Sequence, residues 1–544
     1  MPEALQPVES SSKAGRLGWP VFVGGLALFF ALFVLISSDG RQPGVDSHYH
    51  FMMAKEIAEG NLTPSMAEDL PLTIYKDLDV DHYWGFHVLL SPFTLLPDQE
   101  MGMKVATSAM FCFVILSLFF YLRRRGIQFA WFWALVPLAL TTIAWRYLHL
   151  RGAQLLVPLL LVFIASAFHQ EDARKRRLSL FLCAFIGMLS YQGAIVLLTA
   201  HIAGLGAWWV LKPATFSWKR AWEPGLTAGG LAAGLTLNPY MDSSAQTWEF
   251  AGYHLFTMGV DRDGLYGRVA EFHGFAPEWF IEHLEWLAFT LAVVAGLGWL
   301  LRVRLRRMEI TRDQAVGAGL AVLGILMTSM ATRATEYSVI FGVLFLASLV
   351  PHTWSPEFAS KLTRMLALFI LLSLGWQANQ TSDALNSRSI LHTRMYEGAQ
   401  PQLAENGESP VLNLVEADYN TLLWEYADVR CVQGLSRYFL VNNEQAYQDI
   451  QMLKHPQSPP RMKLEALHRF VEQDVSLVAN HLTRINGQPT AFAVFAGSIP
   501  HMLEPIFRSK GLPNNARVGM LYRLNHERIK ACLDQGDCAP RQPQ

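Results

Sequence analysis

Long apolar runs that recur along most of the chain limit most strongly what this sequence can fold into. Each run is near the roughly 20 residues that an α-helix needs to cross a bilayer, or a little shorter. Of the 544 residues, 51% are hydrophobic and 16% are charged, which is too apolar for an ordinary soluble protein. The sequence therefore predicts a polytopic membrane protein of about eleven spans, at 19–36, 105–122, 129–144, 155–168, 178–189, 194–211, 225–237, 288–301, 318–330, 337–350 and 366–376.

The distribution of charge predicts the topology. By the positive-inside rule, four basic clusters belong on the cytoplasmic side with the N-terminal tail 1–18, namely 123–125, 171–177, 212–220 and 302–307. We expect a membrane domain over 19–377 with external loops at 37–103 and 239–283. No stripe of lysine and arginine with interleaved aromatics occurs, so the sequence argues against a nucleic-acid partner.

The last part of the sequence has a different character, because apolar runs of spanning length disappear after residue 377. Strand-like runs alternate there with helical patterns, the former at 410–415, 476–479 and 491–495 and the latter at 444–453, 463–472 and 500–509. We expect a soluble α/β domain over 378–544, which an odd number of spans places on the external face. Cys532 and Cys538 are spaced for a small disulfide loop, with two free thiols as the alternative.

Residues 46–60, directly after the first apolar run, predict an amphipathic helix on a membrane surface. Asp46 and His50 lie one turn apart on one face, while Phe51, Ala54 and Ala58 form an apolar stripe that rests on lipid or on other spans. An acid is thereby held at the water boundary. Asp46 is interpreted as a catalytic carboxylate or as the N-cap of the helix, and the two roles are compatible.

An acidic stretch follows in the same loop. Asp77, Asp79 and Asp81 alternate in a way that resembles a loop with oxygen ligands for a cation. The glycine and the final glutamate of an EF-hand loop are missing, however. The pattern favours a solvated acidic loop over a metal site.

Three cationic or titratable residues mark the next predicted external turn. Arg146, His149 and Arg151 stand at the membrane boundary with no carboxylate beside them in the sequence. Such residues commonly snorkel and position helix ends. The functional alternative is capture of a phosphate group on a lipid head, for which arginine has suitable charge and forked geometry.

Two further polar features fall in later external loops. Glu271 lies in the sequence Arg268-Val-Ala-Glu-Phe-His-Gly of the long loop. Arg333 and Glu336 lie three residues apart between two apolar runs, where they either pair on a helix or serve function. Ionisable groups between apolar runs are costly to bury and are more often functional than in a soluble protein. We therefore expect Arg333 to bind substrate.

The order of these features resembles the GT-C superfamily of membrane glycosyltransferases. The common features are a first span, an acid opening an amphipathic helix, many spans and an outward-facing C-terminal domain. The closest likeness in layout is to single-subunit oligosaccharyltransferases and their bacterial relatives. The resemblance implies that Asp46 matches the first-loop acid that coordinates metal and engages the acceptor, that Glu271 matches the glutamate helping to hold the acceptor, and that Arg333 matches an arginine contacting the donor phosphate.

Two departures from that family's pattern qualify what the resemblance implies. The Trp-Trp-Asp signature that reads the acceptor sequon is absent, and the tail offers only Leu423-Trp-Glu-Tyr-Ala-Asp428 and Asp418-Tyr-Asn420. The acid pair expected in the second external loop is replaced by Arg146, His149 and Arg151. A divalent cation, Mg or Mn, is therefore left open, with Asp46 as a ligand only if a metal is used.

Together these observations predict a mostly α protein, with a GT-C-like membrane domain followed by a soluble α/β domain. The expected activity is an oligosaccharyltransferase-like transfer of a sugar or oligosaccharide from a polyprenyl phosphate or pyrophosphate donor to a protein or glycan acceptor, on the external face of the cytoplasmic membrane. Asp46 is the expected base. Glu271 and His50 are expected to contact the acceptor or the loop, and the donor phosphate is expected to bind Arg333, Arg146, Arg151 and His149.

The main alternative is a transporter or flippase of a polar lipid or solute, which would also place charged residues at membrane depth. Interrupted helices in matched halves are typical of that class. The break at residues 190–193 is the one hint of such an interruption. A membrane sensor is a third possibility, but it would not explain acids and arginines on several separate loops.

Overall fold

The computed structural model describes most of the chain, as residues 46–65, 69–73, 81–241, 283–330, 334–350, 356–386, 395–426, 428–434, 443–481, 484–485, 488–510 and 518–536, with the single residues 22, 23 and 26. Several sequence predictions fall outside the described residues, namely those on Asp77, Asp79, Glu271, Arg333, Cys538 and most of the first span. Cys532 is disulfide-bonded. The chain is mostly helical, with a small sheet near its C-terminus.

Helices account for the part of the chain that the sequence assigns to the membrane. In order they are α1 Asp46–Ala58, α2 Trp84–Leu90, α3 Gln99–Arg124, α4 Ala130–Leu135, α5 Thr141–Tyr147, α6 Ala153–His169, α7 Ala173–Ser190, α8 Ile195–Leu211, α9 Trp218–Ala221, α10 Glu223–Thr236, α11 Leu284–Leu305, α12 Arg312–Met330, α13 Thr335–Ser348 and α14 Pro356–Asn386. Each predicted run from 105–122 onward overlaps one of these helices. The run 129–144 is divided between α4 and α5 by the 3₁₀ turn Val136–Ala139, which contains Pro137.

Among the described residues, four helical segments are long and apolar enough to cross a membrane, namely Gln99–Arg124, Gln192–Leu211, Leu284–Leu305 and Arg312–Met330. Shorter apolar helices, such as α6 and α13, lie among them. A multi-pass membrane protein is thus supported, while the total of about eleven spans stays a prediction. The break at residues 190–193 is a 3₁₀ turn, Gln192–Ala194, that connects α7 to α8. It therefore joins two successive helices and does not divide one span.

Small residues bring the bundle helices close together. The glycine-rich helix α10 packs against α7, and a Cβ at Gly230 would lie 2.5 Å from the carbonyl oxygen of Phe181. At Gly234 the corresponding distance is 2.6 Å to the carbonyl oxygen of Phe185. Backbones can approach this closely only where a side chain is missing. The glycine-rich run thus serves helix packing.

The connections between helices gather at two ends of the bundle. One, here called the site end, contains the start of α1, the turn from α5 to α6 and the start of α13, which the pairs Asp46–Arg151 and Arg146–Glu336 join. The other, here called the opposite end, contains the end of α3 and the starts of α7, α10 and α12. Arg125 of this end binds Asp313.

The C-terminal part is an α/β unit with one four-stranded sheet in the order β1-β2-β6-β5. Strands β1 and β2 are parallel, and the other pairs are antiparallel. The strands are β1 Val411–Asn413, β2 Leu477–Asn480, β3 Arg484–Ile485, β4 Gln488–Pro489, β5 Leu503–Arg508 and β6 Met520–Leu524. The helices are α15 Gln400–Glu405, α16 Glu416–Glu425, α17 Glu444–Lys454, α18 Pro460–Val471, α19 Ala491–Ser498 and α20 His526–Gln535.

Two local predictions for this unit are wrong. The strand expected at 491–495 is the start of α19, where the Thr490 hydroxyl caps the helix by accepting from the Ala493 N–H, and Phe492, Phe495 and Ala496 face the core at helical spacing. The segment 500–509, which was expected to be helical, instead contains the strand β5, which pairs with β6. Short apolar runs are ambiguous between helix and strand, and here pairing with a distant strand decides the outcome.

Helix α1 is enclosed by protein and does not lie with one face on lipid. The predicted helix is confirmed, but every residue from Ser47 to Ala54 is buried. Tyr49, Met52 and Met53 share one hydrophobic cluster with α16 and Tyr396 of the C-terminal unit. The first loop and the C-terminal unit are thus built around a common core.

A backbone hydrogen bond adds to this connection. The N–H of Cys431 donates to the carbonyl oxygen of Asp69 at 2.7 Å. Cys431 in turn forms a bridge with Val411 of β1. The first loop is therefore attached to the edge of the C-terminal sheet.

Candidate active site at the site end of the bundle

Asp46, the first residue of α1, forms an ion pair with Arg151. The carboxylate Oδ2 lies 3.1 Å from Arg151 Nη2, and the two side chains are 28% and 15% exposed. The sequence contained no hint of this pairing, because about a hundred residues separate the partners. Asp46 therefore lies at a partly open boundary with a cationic partner in contact.

The turn between α5 and α6 is held against α1 by backbone contacts. The N–H of Leu150 donates to the Ser47 hydroxyl at 3.1 Å, and the Arg151 N–H donates to Gln154 Oε1 at 3.2 Å. A Cβ at Gly152 would lie 3.1 Å from both Tyr83 and Tyr191, whose rings stack at 5.7 Å. These contacts fix the turn that carries His149 and Arg151.

His149 lies buried within that turn. Its side chain is 9% exposed, packs edge-on against Trp145 at 5.4 Å, and has no hydrogen-bond partner for either ring nitrogen among the described residues. Burial, together with the nearby charges of Arg151 and Arg146, holds the pKa of His149 well below its usual value. The neutral ring can therefore donate one hydrogen bond and accept another.

Arg146, at the end of α5, pairs with Glu336 at the start of α13. Arg146 Nε lies 2.5 Å from Glu336 Oε1, and both side chains are largely buried. The spacing in the sequence favoured a pair between Glu336 and Arg333, or a functional role; Arg333 lies outside the described residues. The turn between α5 and α6 thus supplies two arginines that reach acids on two different elements, with His149 between them.

A second polar cluster lies beneath α1. Asp81 is fully buried, so it does not belong to a solvated acidic loop as expected. Its Oδ2 lies 2.6 Å from His87 Nδ1, and His87 Nε2 lies 2.8 Å from His50 Nδ1. His87 was not predicted from the sequence, although Asp81 and His87 lie six residues apart on either side of the start of α2. His50 is thus engaged with α2 inside the protein.

The C-terminal unit covers the other side of α1. His48 packs edge-on against Trp424 at 5.1 Å, and Phe51 lies 6.0 Å from the same ring. Trp424 belongs to α16. The helix that carries Asp46 therefore sits between the bundle and the C-terminal unit.

The described acids near Asp46 do not form a ligand set for a divalent ion. The Asp46 carboxylate contacts the Arg151 guanidinium, Asp81 is bonded to His87, and Glu336 is bonded to Arg146. Among the residues that the structure describes, no three acid, histidine or cysteine side chains are grouped to hold a metal. A cation at Asp46 would need further ligands and would compete with Arg151.

Solved structures with the same fold include two membrane glycosyltransferases. ArnT from Cupriavidus metallidurans, in the apo state, aligns with a TM-score of 0.55 and 12% identity over 94% of this chain and 99% of ArnT. The same protein bound to undecaprenyl phosphate gives a TM-score of 0.56 and 13% identity over 98% of this chain and 100% of ArnT. The Archaeoglobus fulgidus oligosaccharyltransferase, in the apo form, gives 0.54 and 11% identity over 85% of this chain and 69% of that enzyme.

No protein-family model and no curated protein sequence matches this chain. The likeness therefore lies in the three-dimensional arrangement, at identities where sequence comparison fails. ArnT and the oligosaccharyltransferase are both GT-C glycosyltransferases, and the fold that the sequence resemblance implied is confirmed.

Proposed function

We propose that this protein is a GT-C-type membrane glycosyltransferase. It transfers a sugar or oligosaccharide from a polyprenyl phosphate or pyrophosphate donor to a protein or glycan acceptor on the external face of the cytoplasmic membrane. The observation that carries the proposal is the Asp46–Arg151 pair, which joins a proton acceptor to a phosphate-binding group in a fold shared with an undecaprenyl phosphate-binding protein. The C-terminal unit lies on the same face and influences acceptor choice through α16.

Asp46 is the general base. It takes the proton of an acceptor hydroxyl while the acceptor oxygen forms a bond to the anomeric carbon of the donor sugar. The bond from that carbon to the phosphate oxygen breaks, and its electron pair leaves with the phosphate. If the acceptor is an amide, Asp46 orients its nitrogen.

Arg151 and Arg146 bind the donor phosphate and stabilise its developing charge. A guanidinium bound to a carboxylate can exchange that partner for a phosphate, because both offer paired oxygens. Donor binding would thus draw Arg151 from Asp46 and release the carboxylate for proton transfer. His149, neutral and without a partner among the described residues, supplies one further hydrogen bond to a phosphate oxygen.

The remaining assignments rest on the family resemblance. Arg333 adds a third positive charge at the phosphate, and Glu271 closes over donor or acceptor on the long external loop. His50 supports the acceptor side through its place on α1. The acid, histidine and cysteine side chains of the described residues do not form a ligand set for a divalent cation.

The test uses full-length protein in its own membrane. A strain lacking the protein is complemented with wild type, Asp46→Asn or Asp313→Asn, and protein- and polysaccharide-linked glycans are compared by mass spectrometry. Asp313 is the matched control, since it is also 28% exposed and paired with an arginine, but at the opposite end. Wild type and Asp313→Asn should restore a glycan that Asp46→Asn forms at least about 10²-fold more slowly. Unchanged glycosylation by stably expressed Asp46→Asn would remove Asp46 from catalysis.

A further inference from the structure

Two arginines of the opposite end lie over one indole ring. The guanidinium carbon of Arg220, on α9, is 5.0 Å from the centre of the Trp208 ring, and that of Arg312, at the start of α12, is 4.8 Å from it. Because both distances end at the same ring, the two positive charges lie within about 10 Å of each other, roughly one Debye length at 0.1 M salt. The two arginines therefore repel each other.

Backbone carbonyls in the last turn of α6 orient both arginines. Arg312 Nη1 donates to the carbonyl oxygen of Phe168 at 2.9 Å, and Arg220 Nη1 donates to that of Ala167 at 3.5 Å. Such carbonyls have no partner within their helix and carry only a partial negative charge. A guanidinium has five N–H donors, so most of them remain for a ligand. The carbonyls thus hold the two side chains in place without neutralising them.

No described acid neutralises the two charges. Neither Arg220 nor Arg312 forms an ion pair among the residues that the structure describes. Burial, followed by the positive charge of Arg176, lowers the pKa of Arg220. The acids nearest in the sequence have other partners, in the pairs Asp313–Arg125 at 2.9 Å and Glu223–Arg176 at 2.8 Å. An excess of positive charge therefore remains beside the indole.

The two arginines and the indole lie where the apolar helices end. Trp208 is in the last turn of the segment Gln192–Leu211, and Arg312 begins the segment Arg312–Met330. Both segments are long and apolar enough to cross a membrane. The ends of membrane-spanning helices meet the headgroup region, which contains the phosphate groups of the lipids. Trp208 and its two arginines are therefore at the depth of lipid phosphates.

The loop that carries Arg220 also exposes aromatic side chains. Trp218 is 79% exposed, and Phe216 beside it is also exposed. The ring of Phe216 lies 5.1 Å from that of Trp218 and 4.9 Å from that of Trp209. Aromatic side chains of this kind are typical of the membrane–water interface. They favour contact between this loop and lipid headgroups.

Packing alone does not require two arginines on one ring. At the same end Arg177 lies over the Trp222 ring at 4.7 Å, and no second arginine shares that ring among the described residues. Placing Arg220 and Arg312 together adds a repulsion that a single arginine would avoid. An anion bound to both arginines would remove this repulsion.

We propose that Arg220 and Arg312 form a phosphate-binding site beside Trp208 that takes the headgroup of an anionic phospholipid. The forked guanidinium groups suit the oxygens of a phosphate. Basic sites between membrane helices are typical binding places for anionic headgroups on the cytoplasmic side, where the positive-inside rule predicts this end to lie. The bound phosphate neutralises both arginines and links the end of α8 to the start of α12. This inference does not depend on glycosyl transfer.

Native mass spectrometry of full-length protein, titrated with phospholipid in detergent micelles, tests the site. Wild type should bind phosphatidylglycerol at least about tenfold more tightly than phosphatidylcholine, whose choline offsets the phosphate charge. Arg312→Gln and Arg220→Gln should each weaken phosphatidylglycerol binding about 5–10-fold. Arg312 is exposed at the first position of α12, so the helix tolerates its substitution. Arg304→Gln is the matched control, since it removes an exposed arginine from the last turn of α11, and it should leave binding unchanged.

Equal affinity of wild type for the two phospholipids would overturn the proposal, whether or not the variants fold. Equal weakening by Arg304→Gln and Arg312→Gln would also overturn it, because the binding would then reflect the general charge of this end. A large excess of inorganic phosphate distinguishes the two sources of the phosphate group. Retention of phosphatidylglycerol assigns the site to the lipid, whereas its displacement assigns the site to a soluble phosphate.

Discussion

The two ends of the helix bundle use the same charged residues in different surroundings. At the opposite end, arginines lie over tryptophan rings, with Arg177 4.7 Å from Trp222 and both Arg220 and Arg312 near Trp208, at 5.0 and 4.8 Å. At the site end, Arg146 and Arg151 pair with acids on either side of the buried His149. The composition alone would make these two ends look alike.

The comparison teaches that the partners of a charge show its role better than the charge itself. Arg176 of the opposite end binds Glu223 through two nitrogens and donates to the carbonyl oxygen of Gln170 at 2.8 Å. The role of such an arginine is to hold helix ends together. An arginine that pairs with a partly exposed carboxylate beside a neutral histidine can instead exchange that carboxylate for a ligand.

The largest expected effect is on stability at the opposite end. Glu223→Ala leaves Arg176 buried without its carboxylate, and breaking a buried pair in this way costs about 3–5 kcal/mol. Asp46→Ala at the site end should cost less than about 1 kcal/mol, because that pair is partly open to solvent. Chemical unfolding in mixed micelles measures both values. Equal losses for the two variants would contradict the distinction between the ends.

An intermediate effect is expected on phosphate binding. Arg151→Gln should weaken the binding of undecaprenyl phosphate about 10–10²-fold, because a hydrogen bond to a charged group contributes roughly 1.5–3 kcal/mol. Arg125→Gln removes an arginine that is likewise paired with an aspartate, at the opposite end, and should leave the affinity unchanged. Native mass spectrometry of protein titrated with undecaprenyl phosphate provides the affinities. Equal weakening in both variants would remove Arg151 from the phosphate site.

The smallest expected effect concerns pH. The pKa of His149 lies well below 6.5, so the ring stays neutral from pH 7.5 down through 6.5 and gains a proton only at lower pH. The affinity for undecaprenyl phosphate should therefore change with pH in the same way for wild type and His149→Gln. The ratio of the two affinities should stay constant within about twofold over pH 6.5–7.5. A wild-type affinity that rises more steeply than that of the variant as the pH falls would show a charged His149.

The sequence predicted the features that depend on local pattern. Hydropathy located the helices from 105–122 onward, and the acid after the first apolar run located α1 and Asp46. Both signals are contained within the length of a single helix. The GT-C resemblance also rested on the order of such local features, and it correctly predicted the fold.

Features that depend on distant partners could not be predicted in the same way. The ion pairs Arg151–Asp46 and Arg146–Glu336 and the hydrogen bond between His50 and His87 form only after the helices pack. The burial of Asp81 was missed for the same reason, because an acid-rich stretch looks solvated until its partner is known. The strand β5 likewise follows from pairing with β6, and the helix α19 from packing of Phe492, Phe495 and Ala496 into the core, both beyond the reach of local propensity.

The hydrogen bond from Cys431 to Asp69 has a consequence for the synthesis of the protein. Asp69 leaves the ribosome about 360 residues before Cys431, which at about 5–20 residues per second means a delay of roughly 20–70 s. Throughout that interval the apolar residues of α1 lack the C-terminal unit that covers them. A chain that stops early would leave this surface exposed to quality-control proteases. The first loop is therefore protected only when the C-terminal unit has been completed.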